Sequence, residues 1–209
     1  MYPPGLQPSL PGYIARSHPL RPVPYDVANA AADADIPLPP GSQDLPLVYL
    51  TMGTVFNDAS TLREIVAALA ALNVRLLATV GPMGNPADLG AQPPNVQVER
   101  YVGQTLVLPL CEVVISHGGS GTMLQTLALG LPQLCLPRAA DQFLNAAAIA
   151  RAGAGLALVP AEAGGKAIAA AATRLLDEPS FRECAMRQGE EIALMPGPED
   201  VAAVLEGLT

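Results

Sequence analysis

The chain has 209 residues, half of them hydrophobic, with a net charge of −8 and a pI near 4.6. Lys166 is its one lysine, and this acidic balance argues against the clustered basic surface that nucleic acid or an anionic membrane requires. The length suits one α/β domain with an appendage, and the apolar share supplies a substantial core.

Residues 1–46 carry 11 of the 22 prolines. Such a stretch forms neither a helix nor a central strand, and is expected to run extended over a surface or to be partly disordered. His18, isolated in it, is read as solvent-exposed and not as a metal ligand. From Leu47 the texture changes. Residues 47–51 are an apolar strand running into a glycine turn at Met52-Gly53-Thr54. Asp58 or Ser60 caps the next helix, which carries Leu62, Ile65, Val66, Leu69 and Leu72 at helical spacing. Residues 74–80 form a second strand. Residues 81–95, with four prolines and three glycines, are an irregular loop. A strand at 96–99 leads to Tyr101-Val102-Gly103-Gln104 and a short apolar helix. Val113-Val114-Ile115-Ser116 is the central strand; it enters His117-Gly118-Gly119-Ser120-Gly121-Thr122 and an amphipathic segment over 123–129. A strand at 134–136 is broken by Pro137. Asp141 or Gln142 then begins a helix reaching Arg151, and 155–159 is a last strand. Helices at 162–176, 180–194 and 198–208 close the chain, and no internal repeat is visible.

Strands apolar on both faces, alternating with helices, imply a doubly wound, Rossmann-like parallel sheet covered on two sides. Ligands bind such sheets at the carboxyl ends of the strands, by the topological switch point. The turns at Gly53, Gly103, 117–121 and 137–142 all follow strands and should collect along that edge. The turn at 117–122 is the most informative of them. Its glycines permit positive φ and remove the Cβ atoms that would keep a ligand from the main chain. Helix-start amides, backed by the helix dipole, form a site for a phosphate or diphosphate. His117 can add a hydrogen bond or a positive charge there.

Three familiar chemistries fail at this turn. A P-loop needs Gly-Lys-Ser/Thr, and no lysine is near. The G-x-G-x-x-G dinucleotide fingerprint has Leu124 where its third glycine belongs, and sits on a late strand instead of the first. An esterase oxyanion loop would need a Gly-x-Ser-x-Gly elbow, which no serine provides. Cys111, Cys135 and Cys184 are odd in number, far apart and without a CxxC pair, so they read as buried free thiols. No signal peptide and no apolar run of membrane-spanning length is present. A soluble, cytoplasmic protein without a membrane or nucleic-acid partner is expected.

The run 117–122, followed by Gly130-Leu131-Pro132, Pro137, Asp141-Gln142 and Asn145-Ala146, resembles the donor-binding signature of nucleotide-sugar glycosyltransferases of the GT-B fold. The likeness is to bacterial enzymes that decorate macrolide, enediyne and other polyketide natural products. Thr51-Met52-Gly53-Thr54 looks like that family's first donor-side loop, and 101–104 like its Trp-x-Pro-Gln segment. Pro93-Pro94-Asn95-Val96 and the stretch from Leu20 to Tyr25 also look familial. The resemblance implies that His117 and the amides of Gly118, Gly119, Ser120, Gly121 and Thr122 hold the donor diphosphate, with Gly53 and Thr54 packed nearby. It implies that Val102, Gly103 and Gln104 edge the nucleobase, and that Asp141 and Gln142 hydrogen-bond the sugar. Asp141-Gln142 alone would read as a helix cap, and Asn145 can serve as a structural brace. Gln133 and Arg138 have no counterpart in the pattern and are read as surface residues. Where the family usually has a glutamate for the ribose hydroxyls, this chain has Gln125. Tyr101 stands for Trp and Gly103 for Pro, which loosens the base platform.

The resemblance further implies one half of a GT-B fold: a proline-rich, interdomain-linker-like extension at 1–46 and a nucleotide-sugar donor-binding domain at 47–209. It implies transfer of a hexose or deoxyhexose from a UDP- or TDP-linked donor (GDP stays open) to a small natural product, without a metal or other cofactor. The acceptor-binding domain, with its catalytic base, comes first in this family. It is expected to be absent here, so no catalytic residue is assigned and the chain alone is expected to transfer no sugar. An acceptor-binding domain or subunit is the expected partner, and self-association through an uncovered cleft wall is possible. The alternatives are a non-catalytic nucleotide-sugar-binding module, one subunit of a split transferase, and a relative of nucleotide-sugar epimerases.

Overall fold

The computed structural model describes residues 2–7, 19–24, 36–40, 44–53 and 58–206. Six parallel strands form one sheet in the order β3-β2-β1-β4-β5-β6. They are β1 (Leu47–Thr51), β2 (Arg75–Thr79), β3 (Val96–Glu99), β4 (Val113–Ser116), β5 (Gln133–Cys135) and β6 (Gly155–Ala157). The helices are α1 (Ala59–Ala70), α2 (Gln104–Val107), α3 (Ser120–Ala128), α4 (Gln142–Arg151), α5 (Gly165–Asp177), α6 (Pro179–Leu194) and α7 (Pro198–Glu206). The chain winds outward from β1 in one direction and, after β3, returns to β4 and winds outward in the other. The reversal lies between β1 and β4, which therefore flank the switch point.

The strands are apolar on both sides, as a sheet covered on two faces requires. Val48, Leu50, Leu76, Ala78, Val113, Ile115 and Leu134 pack with Leu62, Ile65, Val66 and Leu69 of α1 and Ile168, Ala172 and Leu175 of α5. On the opposite face Tyr49, Leu77 and Val114 meet Val107 and Leu108, while Cys135 packs with Met123, Leu127, Ala146 and Ile149. Each fully buried aliphatic contributes about 1.5–3 kcal/mol relative to exposure. Thr51 pairs in register with Thr79 on one side and Ser116 on the other, so β1, β2 and β4 end level. Their following loops are thereby presented along one edge.

The expected α/β architecture is present, with local differences. α3 begins at Ser120, earlier than the amphipathic segment, because residues 120–122 at the end of the glycine turn already form the helix's first turn. β6 ends at Ala157 and α5 starts at Gly165. Between them Val159 O accepts from the amides of Glu162 and Ala163, closing a turn that neither element extends through. Gln133 is not a surface residue: it is wholly buried in β5 beneath α3, and its Nε2 donates to Met123 O at 3.3 Å. Cys111 and Cys135 are buried and free, and burial pushes both thiols up to about 12. Cys184 is free but only half-buried. His18 lies outside the described residues. Part of the proline-rich stretch is ordered against the sheet's outer helices: Pro4–Leu6 is a 3₁₀ turn with Leu6 buried among residues of α3, α4 and α6. No helix among the described residues is long and apolar enough to cross a membrane.

Candidate functional site

The loops leaving β1 and β4 meet at His117. Gly53 follows β1 at φ +76° and Gly118 follows His117 at φ +77°, a left-handed conformation in which a Cβ is strained. A Cβ on Gly53 would stand 2.7 Å from His117 Cε1, and one on Gly119 would stand 2.5 Å from His117 Nε2. The imidazole is therefore sandwiched between two glycines from two different loops, and neither tolerates a side chain while the ring is there. Burial pulls the His117 pKa below its ordinary value, and the nearby Asp141 carboxylate partly opposes the shift. The ring is held neutral, so it acts as a hydrogen-bonding group in preference to a fixed cation. Its Nδ1 is buried and meets no hydrogen-bond partner among the described residues.

Helix α3 begins immediately beyond. Its N-cap is Gly119, which offers no side-chain cap, and its first helical bond runs from Met123 N to Gly119 O at 2.9 Å. The amides of the first turn precede that bond and have no acceptor within the helix. Above Gly121 an added Cβ would meet nothing within 4 Å. The turn's shape is fixed from below. Gly118 N donates to the buried Ser116 Oγ at 3.1 Å, and Gly118 O accepts from Asn145 Nδ2 at 2.9 Å.

The other expected site residues sort into two groups around this turn. Gln104, at the start of α2, donates through Nε2 to Thr122 Oγ1 at 3.0 Å, tying the base-edge segment to the first turn of α3. Val102 and Gly103 beside it are buried, and Tyr101 is half exposed. Asp141 sits at the N-cap of α4 without capping an amide; its Oδ2 accepts from Asn145 Nδ2 at 3.2 Å, and its charge reaches His117. Gln142 is buried, and its carbonyl oxygen accepts from the amides of Arg138 at 2.8 Å and Ala139 at 3.0 Å. That oxygen organises its own loop. Ala140 in that loop adopts φ +53°, the one non-glycine residue at positive φ among those described. Gln125 lies one helical turn beyond Gly121. The two share a cavity of about 510 Å³ with Arg21, Pro22, Val23 and Pro24 and with α6. Thr54 falls outside the described residues. Ser116 was not anticipated as a support of the turn, because a serine closing an apolar strand carries no signal that its hydroxyl folds forward. No group of three or more His, Cys, Asp or Glu residues able to hold a metal occurs among the described residues.

Residues 63–208 match the family described as erythromycin biosynthesis protein CIII-like, C-terminal domain. The chain belongs to this family. Elloramycin glycosyltransferase ElmGT of Streptomyces olivaceus is 38% identical over 168 residues, covering 79% of this chain and 42% of that protein. Aclacinomycin-T 2-deoxy-L-fucose transferase of Streptomyces galilaeus is 36% identical over 200 residues, covering 91% of this chain and 44% of the other. The chain thus spans less than half the length of these relatives. Among solved structures, spinosyn rhamnosyltransferase SpnG complexed with thymidine diphosphate superposes with a TM-score of 0.80 at 32% identity. It covers 98% of this chain, which matches 55% of that one. The CIII-like family and the GT-B likeness read from the 117–146 motifs agree.

Proposed function

We propose that this CIII-like domain binds the nucleoside-diphosphate-sugar donor of a natural-product glycosyltransferase, with the diphosphate seated on the first turn of α3. The observation that carries the reading is the uncapped, glycine-built start of α3 at the switch point, backed by His117. Amides aimed at one point, with the helix dipole behind them, stabilise a diphosphate both as bound substrate and as leaving group. As the bond from the sugar's anomeric carbon to the phosphate oxygen breaks, negative charge grows on the diphosphate. Fixed donors then gain in strength where they are most needed. This arrangement requires no metal, because backbone dipoles and His117 supply the electrostatic partner. Gln104 would edge the base, Gln125 the ribose, and Asp141 the sugar hydroxyls. The structural relative bound to thymidine diphosphate favours TDP over UDP or GDP. The acceptor-binding half, which would supply the base for the acceptor hydroxyl, would seat against this edge, where Phe143 and Leu144 of α4 are exposed.

Calorimetry of the chain with TDP, UDP and GDP and the matching monophosphates, in EDTA, tests the reading. Diphosphates should bind more tightly than monophosphates, and TDP best. Equal affinity for TDP and TMP would remove the diphosphate from the α3 turn. A transfer assay with and without an added acceptor-domain homologue separates a transferase half from a binding module, since only the former gains turnover on addition.

A further inference from the structure

The chain's first described residues reach the proposed donor site. Tyr2 OH donates to Asn145 Oδ1 at 2.7 Å, across 143 positions of sequence. The contact is made as part of a docked segment. Leu6 is buried in the cluster formed by α3, α4 and α6, and Gly5 N donates to Glu191 Oε2 of α6 at 2.7 Å.

Asn145 is 2% exposed and fully committed. Its Nδ2 donates to Gly118 O at 2.9 Å and to Asp141 Oδ2 at 3.2 Å. Both partners are acceptors only, which fixes the orientation of the side-chain amide and leaves Oδ1 facing Tyr2. A buried carbonyl oxygen needs a donor, and leaving it without one is costly. Tyr2 fills that need. Burial raises the Tyr2 pKa and the Asp141 carboxylate adds to the shift, so the phenol keeps its proton and remains a donor.

We propose that Tyr2 is a positioning residue of the donor site: its hydroxyl locks Asn145, and Asn145 in turn holds the Gly118 carbonyl of the diphosphate turn and the carboxylate of Asp141. One side chain from the proline-rich stretch thereby sets two groups that the donor reading assigns to diphosphate and sugar. The inference rests on that reading for its consequence in binding, while the hydrogen-bond relay itself can be measured without ligand. By linkage, a donor that needs the turn in this shape also tightens the docking of residues 2–7.

The test compares the full chain with Tyr2→Phe and Tyr2→Ala, by calorimetry with TDP and by amide NMR spectra without ligand. If the hydroxyl does the positioning, both variants lose TDP affinity equally, by roughly fivefold. In the ligand-free spectra Tyr2→Phe should then shift the Asn145 side-chain amide and the Gly119 backbone amide. If Tyr2→Phe binds as the parent does and only Tyr2→Ala is weakened, ring packing is the whole role and the proposal is overturned. Unmoved Asn145 and Gly119 signals in Tyr2→Phe overturn it equally. Should the unsubstituted chain bind no nucleoside diphosphate, the donor reading fails by itself, and the ligand-free spectra alone decide the relay.

Discussion

Helices α1 and α3 both spring from central strands beside the switch point, yet they begin differently. At α1, Asp58 closes the helix start: its carboxylate accepts from Thr61 N at 2.9 Å. The Ser60 hydroxyl and the Thr61 amide hold its pKa down to about 2. At α3 the same position is Gly119 and no side chain caps the amides. One helix closes an orphan donor with a side chain, and the other leaves its first-turn amides open. α5, with Gly164 at its N-cap, has no side-chain cap either, so what singles out α3 is its place at the switch point beside His117, where a ligand can meet its free amides.

The largest effect should come from making α3 resemble α1. Gly119→Asp would bring an internal cap and also drive a Cβ into His117 Nε2, 2.5 Å away. TDP affinity should fall by roughly a hundredfold or more, the loss of two charge-assisted hydrogen bonds. Near-parental binding in calorimetry would dissolve the contrast. Next comes His117→Ala, which removes the ring but leaves the amides: about tenfold weaker TDP binding, with little change in melting temperature. Equal affinity in mutant and parent would take His117 out of the site.

A smaller gain is expected from Gln125→Glu, whose carboxylate can accept from two ribose hydroxyls. About 1 kcal/mol of extra TDP affinity is the expected result, and titration showing none would leave Gln125 a cavity-wall residue. Subtler still is the pH response. The folded-state pKa of His117 lies below its ordinary 6.5 because of burial. Its stabilising contribution is complete above 6.5 and is lost as pH falls through the lower folded value, since the unfolded chain then binds the proton more readily. Melting curves from pH 7.5 downward should decline less steeply in His117→Gln, and parallel declines would refute the shift. Smallest for the site is Asp58→Ala: a modest drop in melting temperature with TDP affinity unchanged. Altered affinity would mean that the two helix starts are not independent.

The doubly wound parallel class, most strand positions and the α3 turn were legible because they rest on local signals: apolar runs, glycines at strand ends, and capping residues. Asn145 reads as a brace, but which groups it and Gln142 engage was not legible. Both lie in one motif, yet Asn145 turns inward to the Gly118 carbonyl and Gln142 spends its oxygen on the amides of residues 138 and 139. Sequence spacing places such residues at a loop without saying which way each amide points. Gln133 was misjudged for a related reason, since polarity suggested surface where a central strand and α3 enclose it. Tyr2 was out of reach altogether, because only tertiary docking joins positions 143 apart. Ala140 was hidden too, as nothing in an alanine announces φ +53°.

The sandwiched ring has a consequence for how this sequence can drift. Position 53 is far from 117 and 119 in the gene's order, yet the three are constrained as one unit. While His117 stays, any side chain at either glycine collides with it, so a single change at 53 or 119 meets purifying selection whatever its polarity. If the ring is lost, position 119 is released at once. Position 53 is released only to residues such as asparagine that accept its φ of +76°. Descendants that have abandoned the histidine should therefore be recognisable by a non-glycine at 119 before any change appears at 53.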